Sequence, residues 1–461
     1  MTLSELIERF DARSAGERMY AMIEDMYPLH RSITGDGVRY TLDIVRDHVP
    51  LTIHEVPSGT QVFDWTVPDE WNIRDAYIKN PQGDTVLDFH KSHLHVVSYS
   101  VPIHRTLSLD ELKSHLYTLP DRPDWIPYRT SYYEKTWGFC LAHNELLRWQ
   151  PGEYEVYIDS SLAPGSLTYG ELILPGATDE IVLVSCHICH PSMGNDNLSG
   201  ISLVTLLAEQ LQTISRRHTF VFLFVPGTIG SIVWLCANRA RAQKVTNGLV
   251  VNNVGDAGHL HYKKSRRGNA DVDRAAAHVL AHSGATFEVR NFDPYGYDER
   301  QFCSPGFNLP VGSLTRSPHG TFPEYHTSAD NLHFVHAEHL SDSLLKYLAI
   351  IDILESNCTY FNQIPFCEPQ LGKRGLYRKV GGQSRSPGEE LAMLWVLNLS
   401  DGSHSLLDIA ERSGIDFAAI HAQAHRLLEH GLLSETDPFL SVVAGRGETV
   451  HVKGGYPVTA G

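Results

Sequence analysis

The stretch from Ile181 to Ser199 reads I-V-L-V-S-C-H-I-C-H-P-S-M-G-N-D-N-L-S, and the architecture is inferred outward from it. Ile181 to Ser185 is a short β-branched, apolar run of the kind that makes a strand buried on both faces. His187, Cys189 and His190 follow at once, then Asp196 in a polar loop, then the apolar helical run Ile201 to Leu211. Open α/β sheets assemble sites in this way, because the carboxyl ends of their strands face a crevice where loop side chains converge. A metal site is expected here. Cys186-His187-Ile188-Cys189-His190 also fits C-x-x-C-H, the c-type haem attachment pattern. That attachment belongs to exported proteins, no export signal is read at the start of the chain, and a buried strand leaves little room for a haem. Haem is therefore rejected, and so is a thioredoxin-like redox pair.

On either side of this stretch the pattern alternates. Tyr154 to Ile158, Leu167 to Leu174, Thr219 to Val225, Gly248 to Val254, Thr286 to Arg290 and Pro310 to Thr315 read as strands. Helical runs separate them, including Ile201 to Leu211, the run opened by Pro226 to Ser231, Asp271 to Ser283 and Ala337 to Leu354. Strands alternating with helices imply an α/β fold, a mostly parallel, mixed sheet flanked by helices. Residues 1–50 and 151–370 are assigned to this domain, the first part as helices with a turn at His30-Arg31 that is expected to cap a helix pair. Residues 51–150 change to strands and turns and are assigned to an inserted β-rich domain. There His93 and His95, on one face of an expected strand, have the look of ligands, although surface histidines are the favoured reading. The aromatic run Trp125 to Cys140 suits either a pocket wall or the module's own core.

Composition narrows the function classes. A chain of 461 residues is expected to hold about two or three domains. Its 42% hydrophobic and 10% aromatic content fills real cores and excludes a disordered chain. A formal net charge of −16 argues against general affinity for nucleic acid or anionic membrane, both of which need a cationic surface. No apolar run reaches transmembrane length. Seven cysteines, an odd count without framework spacing, fit reduced thiols in a cytoplasmic protein. The expected partners are a small-molecule or peptide substrate and a second copy of the chain in a homo-oligomer.

Chemistry concentrates at strand ends: His187, Asp196, Asp256, Asp298-Glu299 and His326. Histidine nitrogen and carboxylate oxygen are the usual ligands of hydrolytic zinc, and an aspartate can bridge two ions roughly 3.5–4 Å apart. The strings His187-x-Cys189, Asn195-Asp196-Asn197-x-Ser199-Gly200 and Tyr325-His326-Thr327-x-x-Asp330 resemble the zinc aminopeptidases of the M28 type. With His190-Pro191 and the segments 265–274 and 298–307, the chain looks like the branch of aminopeptidase-like proteins with an inserted β domain and a C-terminal winged helix (the DUF4910 and DUF2172 group). The resemblance covers nearly the whole chain and implies the phosphorylase/hydrolase-like aminopeptidase fold. It implies zinc, one or two ions, with His187 and His326 as ligands, Asp196 as the bridge and Asp256 as a further carboxylate. Asn252 and Asn253 stand near where that family carries its aspartate. Asp298, Arg300 and Tyr325 are expected to face the substrate. Two departures matter. Cys189 replaces the aspartate that orients the first histidine. Gly227 stands where the branch carries the glutamate that acts as general base, and Glu324 or Glu299 would have to take over that role.

Residues 375–461 are expected to form a separate winged helix. Three helical runs, Pro387 to Leu399, Ser405 to Arg412 and Asp416 to His430, precede a hairpin at Leu440 to Ala444 and Thr449 to Val452. The third helix has Arg426 as its only formal cation, so a contact within the protein is favoured over DNA. Three function classes follow: a zinc-dependent amide hydrolase on a peptide or aminoacylated small molecule, a catalytically impaired binding protein on the same fold, and, last, a DNA-binding regulator.

Overall fold

The structure, a computed structural model, describes residues 2–376 and 387–435. The chain divides into two units, Met1–Ile350 and Ile351–Gly461.

In the first unit an eight-stranded mixed sheet carries the core. Its order is Thr52–Pro57, Ser166–Leu174, Thr219–Val225, Ile181–His187, Val245–Val251, Val311–Thr315, Leu260–Lys263, Phe287–Arg290. The four middle strands run parallel, and antiparallel pairs flank them on both sides. Every residue of Ile181–His187 is buried, which is why it reads as a continuous apolar run rather than an alternating one. From this strand the chain passes through the helix Gly200–Gln212 to a neighbour on one side. It then returns through the helix Ile229–Ala237 to the neighbour on the other. The strand order reverses at that point, so a crevice opens at the carboxyl end of the central strand. His187 stands at that end. Gly200–Gln212 is apolar on most of its surface because it is covered by the sheet and by the helix Ala12–Met26.

The inserted region forms a four-stranded antiparallel sheet in the order Thr85–Asp88, Glu70–Lys79, Glu153–Ala163, Ile103–Ser108. It has its own core, with Ala76, Ile78, Phe139, Tyr154 and Val156 buried together. The boundaries differ from the expected 51–150. Thr52–Pro57 pairs with Ser166–Leu174 in the large sheet, whereas Glu153–Ala163 pairs with Glu70–Lys79 in the small one. Alternation marks both as half-buried strands without naming their partners. His93–His95 is a single 3-10 turn, not a strand. His93 Nδ1 faces Ser192 Oγ at 3.1 Å and His95 Nδ1 faces the Cys140 carbonyl at 2.7 Å, so the two do not chelate.

In the second unit Thr359–Asn362 pairs antiparallel with Asp401–Ser405 and with Leu433–Ser434. The helices are Pro387–Leu399, Leu406–Ser413 and Phe417–Glu429. Because its first strand lies at 359, this unit starts ahead of the expected 375, and 370 is not the end of the α/β domain. Ser405 opens the middle helix with a capping box, and Gly414 closes it in the left-handed conformation. The expected hairpin at 440–452 lies outside the described residues. Among the described residues no helix is long and apolar enough to cross a membrane. All seven cysteines are free thiols.

Candidate metal centre

His187 ends the central strand, and the loop after it folds back over the strand end. His187 Nε2 lies 2.9 Å from Asp196 Oδ1 and 3.0 Å from His190 Nδ1. His190 Nδ1 is 3.5 Å from the same carboxylate oxygen, and His326 Nε2 approaches Asp196 Oδ2 at 3.0 Å. Ligand atoms of His187, His190 and Asp196 all lie within 4.8 Å of one another. Asp196 Oδ2 and His326 Nε2, though close, have no hydrogen-bond partner among the described residues. Two ligands of one cation stand to each other in this way. Three imidazole nitrogens around one carboxylate fit a zinc-type cation.

The loop motif explains how Asp196 is held. Asp330 accepts the backbone N–H of Asn195 at 2.6 Å and of Asp196 at 2.9 Å. Asn197 Nδ2 donates to the carbonyls of His187 and Val251, and its Oδ1 caps the following helix at Gly200 N. Ser199 Oγ donates to the Asn195 carbonyl and accepts from Val254 N. Each polar residue of Asn195-Asp196-Asn197-x-Ser199 therefore has a framing partner. His190 is braced from beneath by the buried Arg31, whose Nε donates to the His190 carbonyl at 2.9 Å and whose Nη1 donates to Met26 O at 2.6 Å. The His30-Arg31 turn thus reaches the site as well as bracing the helix before it.

Aromatic rings fix the imidazoles. Tyr297 stacks on His187 with centroids 4.6 Å apart, and Tyr325 stacks on His326 at 3.9 Å. Tyr128 presents an edge contact to both His190 and His326, and its N–H donates to the His326 carbonyl at 2.8 Å. Part of the aromatic run of the inserted region is therefore a wall of the site.

The electrostatics suit a cation. Burial alone would raise the Asp196 carboxyl, but His190 and the hydrogen bond from His187 hold it well below the usual range. Burial lowers His190 and His326, which favours their neutral, ligating forms. Burial raises Asp330 to about 8 and Asp298 to about 7.

Of the residues expected at the site, His187, Asp196 and His326 come together. Tyr325 lines it, with its hydroxyl accepting from Tyr297 at 3.1 Å. Asp256 is elsewhere: Oδ2 accepts from Asn195 Nδ2, and Oδ1 accepts from Gly258 N and Ser317 Oγ, so this carboxylate frames the loop. Asp298 accepts from Ser231 Oγ at 3.0 Å and lies near Gly227, where an added Cβ would be 3.9 Å from its Oδ1. Glu299 pairs with Lys263 at 2.6 Å. Arg300 Nε is buried with no hydrogen-bond partner among the described residues. Glu324 is half-buried, and its backbone carbonyl accepts from Thr327. None of Asp256, Asp298, Glu299 and Glu324 joins the close ligand group among the described residues. Burial pushes the Cys189 thiol up to about 12, so it cannot replace an aspartate as an anionic support for His187. Sequence reasoning gave no role to His190, Tyr297 or Asp330. The signal for His190 was its position three residues after the strand-end histidine.

Residues 20–357 match the family described as a domain of unknown function (DUF4910), and residues 358–435 match a winged helix-turn-helix family. A Clostridium acetobutylicum protein named for polysaccharide biosynthesis and an aminopeptidase-like domain is 52% identical over 423 residues, spanning 92% of this chain and 97% of the relative. A crystal structure from Clostridium acetobutylicum, named as a peptidase, is 50% identical with a TM-score of 0.89, covering 94% of this chain and 99% of that one. The zinc aminopeptidase of Bacillus subtilis superposes with a TM-score of 0.54 at 12% identity, over 73% of this chain and 94% of that one, a likeness of fold. The mixed sheet with its flanking helices is thus the zinc-aminopeptidase fold, and the chain belongs to the DUF4910 family, with a winged helix as its C-terminal unit.

Proposed function

We propose that this chain is a metal-dependent amide hydrolase of the aminopeptidase type, acting on a peptide or an aminoacylated small molecule, with zinc as the metal. The observation that supports it most is the convergence of His187, His190 and His326 on the buried carboxylate of Asp196 at the strand-order reversal. One ion fits better than two, since Gly227, Asn252 and Asn253 supply no second set of carboxylates. A zinc-type ion held there supplies Lewis acidity toward an amide carbonyl and toward water. The protein's part is to hold the ligands. Asp330 fixes the Asp196 turn, Arg31 fixes His190, and the three tyrosines set the imidazole planes.

A second reading, a binding protein with little turnover, is favoured by one observation: no carboxylate stands at 227. A screen of aminoacyl and acyl amides with the zinc-loaded chain separates the two. Slow hydrolysis that disappears in Asp196→Asn supports the hydrolase. Zinc uptake without turnover of any amide supports the binding protein.

A further inference from the structure

A cavity of about 430 Å³ lies at the other end of the central strands from the metal cluster. Val245, which opens the strand Val245–Val251, and Leu309, just ahead of Val311–Thr315, are in its wall. Val245 pairs with Ile181, at the start of the strand whose last residue is His187. Six residues at about 3.3 Å each put about 20 Å between this cavity and the metal cluster. Arg267, Gly306 and Phe307 reach it from the segments 265–274 and 298–307, and Phe63 from the turn between Gln61–Val62 and Trp65–Thr66. The volume falls within the range of small-molecule sites, about 300–1,000 Å³.

Charge selects the ligand. Arg239 and Arg267 line the cavity, and among the described residues no carboxylate does. Neither guanidinium has an ion-pair partner among the described residues, in a chain whose formal net charge is −16. Nearby cations on the same stretch as Arg239 are neutralised, Arg241 by Glu171 at 2.6 Å and Lys244 by Asp179 at 2.7 Å. The two free guanidiniums are nevertheless held in place. Arg239 lies over the Phe63 ring, 4.7 Å from its centroid, and Phe307 meets that ring at right angles, 5.9 Å away. Arg267 Nε donates to the Asn308 carbonyl at 2.9 Å. A guanidinium fixed by a ring face or through Nε keeps its outer N–H fork for an anion.

Two such forks match a dianion. A phosphate monoester carries about −1.5 to −2 charges near pH 7 and presents three acceptor oxygens, whereas a carboxylate carries a single charge. Phe63, an exposed ring, and Phe307 offer the organic part of an ester an aromatic surface. We propose that this cavity binds a phosphate monoester of a small aromatic or apolar molecule, with the phosphate held by Arg239 and Arg267. The site is separate from the metal cluster and stands whether or not that cluster hydrolyses an amide.

Isothermal titration calorimetry on the full chain tests this, with phenyl phosphate, benzoate and inorganic phosphate as the probes. Phenyl phosphate is expected to bind, and the other two to bind about tenfold more weakly or not at all. Arg239→Gln and Arg267→Gln, both at exposed positions, are each expected to weaken phenyl phosphate about tenfold, the equivalent of about 1.4 kcal/mol. Gly306→Asp places a carboxylate at the cavity where an added Cβ meets nothing within 4 Å, at a glycine without positive φ. It is expected to leave the circular dichroism unchanged and to weaken binding as well. Phosphate could also sit on a bound metal ion, so Asp196→Asn is included and is expected to bind as the native chain does. No binding of phenyl phosphate, affinity unchanged in either arginine variant or in Gly306→Asp, or binding lost in Asp196→Asn overturns the proposal. Benzoate bound as tightly as the ester overturns it too, and so does inorganic phosphate bound as tightly, which would mark an adventitious ion only.

Discussion

A side chain at position 227 would begin 3.1 Å from His187 Cβ and 3.9 Å from Asp298 Oδ1. Gly227 is not one of the positive-φ glycines, so a side chain there meets no left-handed strain, and His187 must yield by a few tenths of an ångström to admit it. A positioned general base contributes about 10²–10⁴ in rate. Gly227→Glu is therefore expected to raise kcat on a given amide by about 10²-fold, measured with the zinc-loaded protein. The comparison includes Glu324→Gln, Glu299→Gln and Asp298→Asn. A high native kcat that collapses in one of those three would show that its carboxylate has taken over as base. At this scale the placement of His187, Asp196 and His326 after strands, with the resemblance carried by the motifs around them, pointed to their coming together. Asp256 had the same look, an acid in a loop after a strand. Its oxygens are saturated by Asn195, Gly258 and Ser317, and donors that arrive from distant loops leave no mark on the local sequence.

Between elements, the join of the inserted sheet to the large one depends on Glu70. Its carboxylate takes a two-pronged contact from Arg39, at 2.8 and 2.7 Å, and accepts from Ser166 N at 2.9 Å. The Arg39 hydrogen bonds are the largest cause that holds Glu70 down to about 2. A depressed carboxylate stabilises the fold above its unfolded pKa, about 4.3, and that contribution is lost as pH falls through about 2. Glu70→Gln is expected to lower stability by about 1 kcal/mol at pH 7, a charge-assisted bond reduced by solvent screening. In thermal melts the gap in Tm between native and variant should close from pH 5 down to pH 2. A gap independent of pH would contradict this role. The buried strands Ile181–His187 and Thr219–Val225 were legible as largely apolar runs. The strand Leu260–Lys263 was not, being four residues long and only partly buried. Nor was the exchange of Thr52–Pro57 and Glu153–Ala163 between sheets, because pairing depends on distant partners.

For the whole molecule, the helical part of the C-terminal unit, residues 388–434, lacks the charge that duplex binding needs. Between Gly388 and Ser434 the formal cations are Arg412 and Arg426, against Glu389, Glu390, Asp401, Asp408, Glu411, Asp416 and Glu429. Affinity for duplex rests mainly on neutralised phosphates. The full chain is expected to show no shift of a DNA duplex at micromolar concentration, and salt-dependent submicromolar binding would contradict that. The account as a whole depends on the four side chains at the end of the central strand holding an ion. The direct measurement is zinc per chain by mass spectrometry after dialysis against metal-free buffer, for the native protein, Asp196→Asn and His190→Ala. The predicted result is about one zinc per native chain, near none in Asp196→Asn and a clear reduction in His190→Ala, with unchanged circular dichroism. Equal zinc in native and Asp196→Asn, whether negligible or stoichiometric, would contradict it.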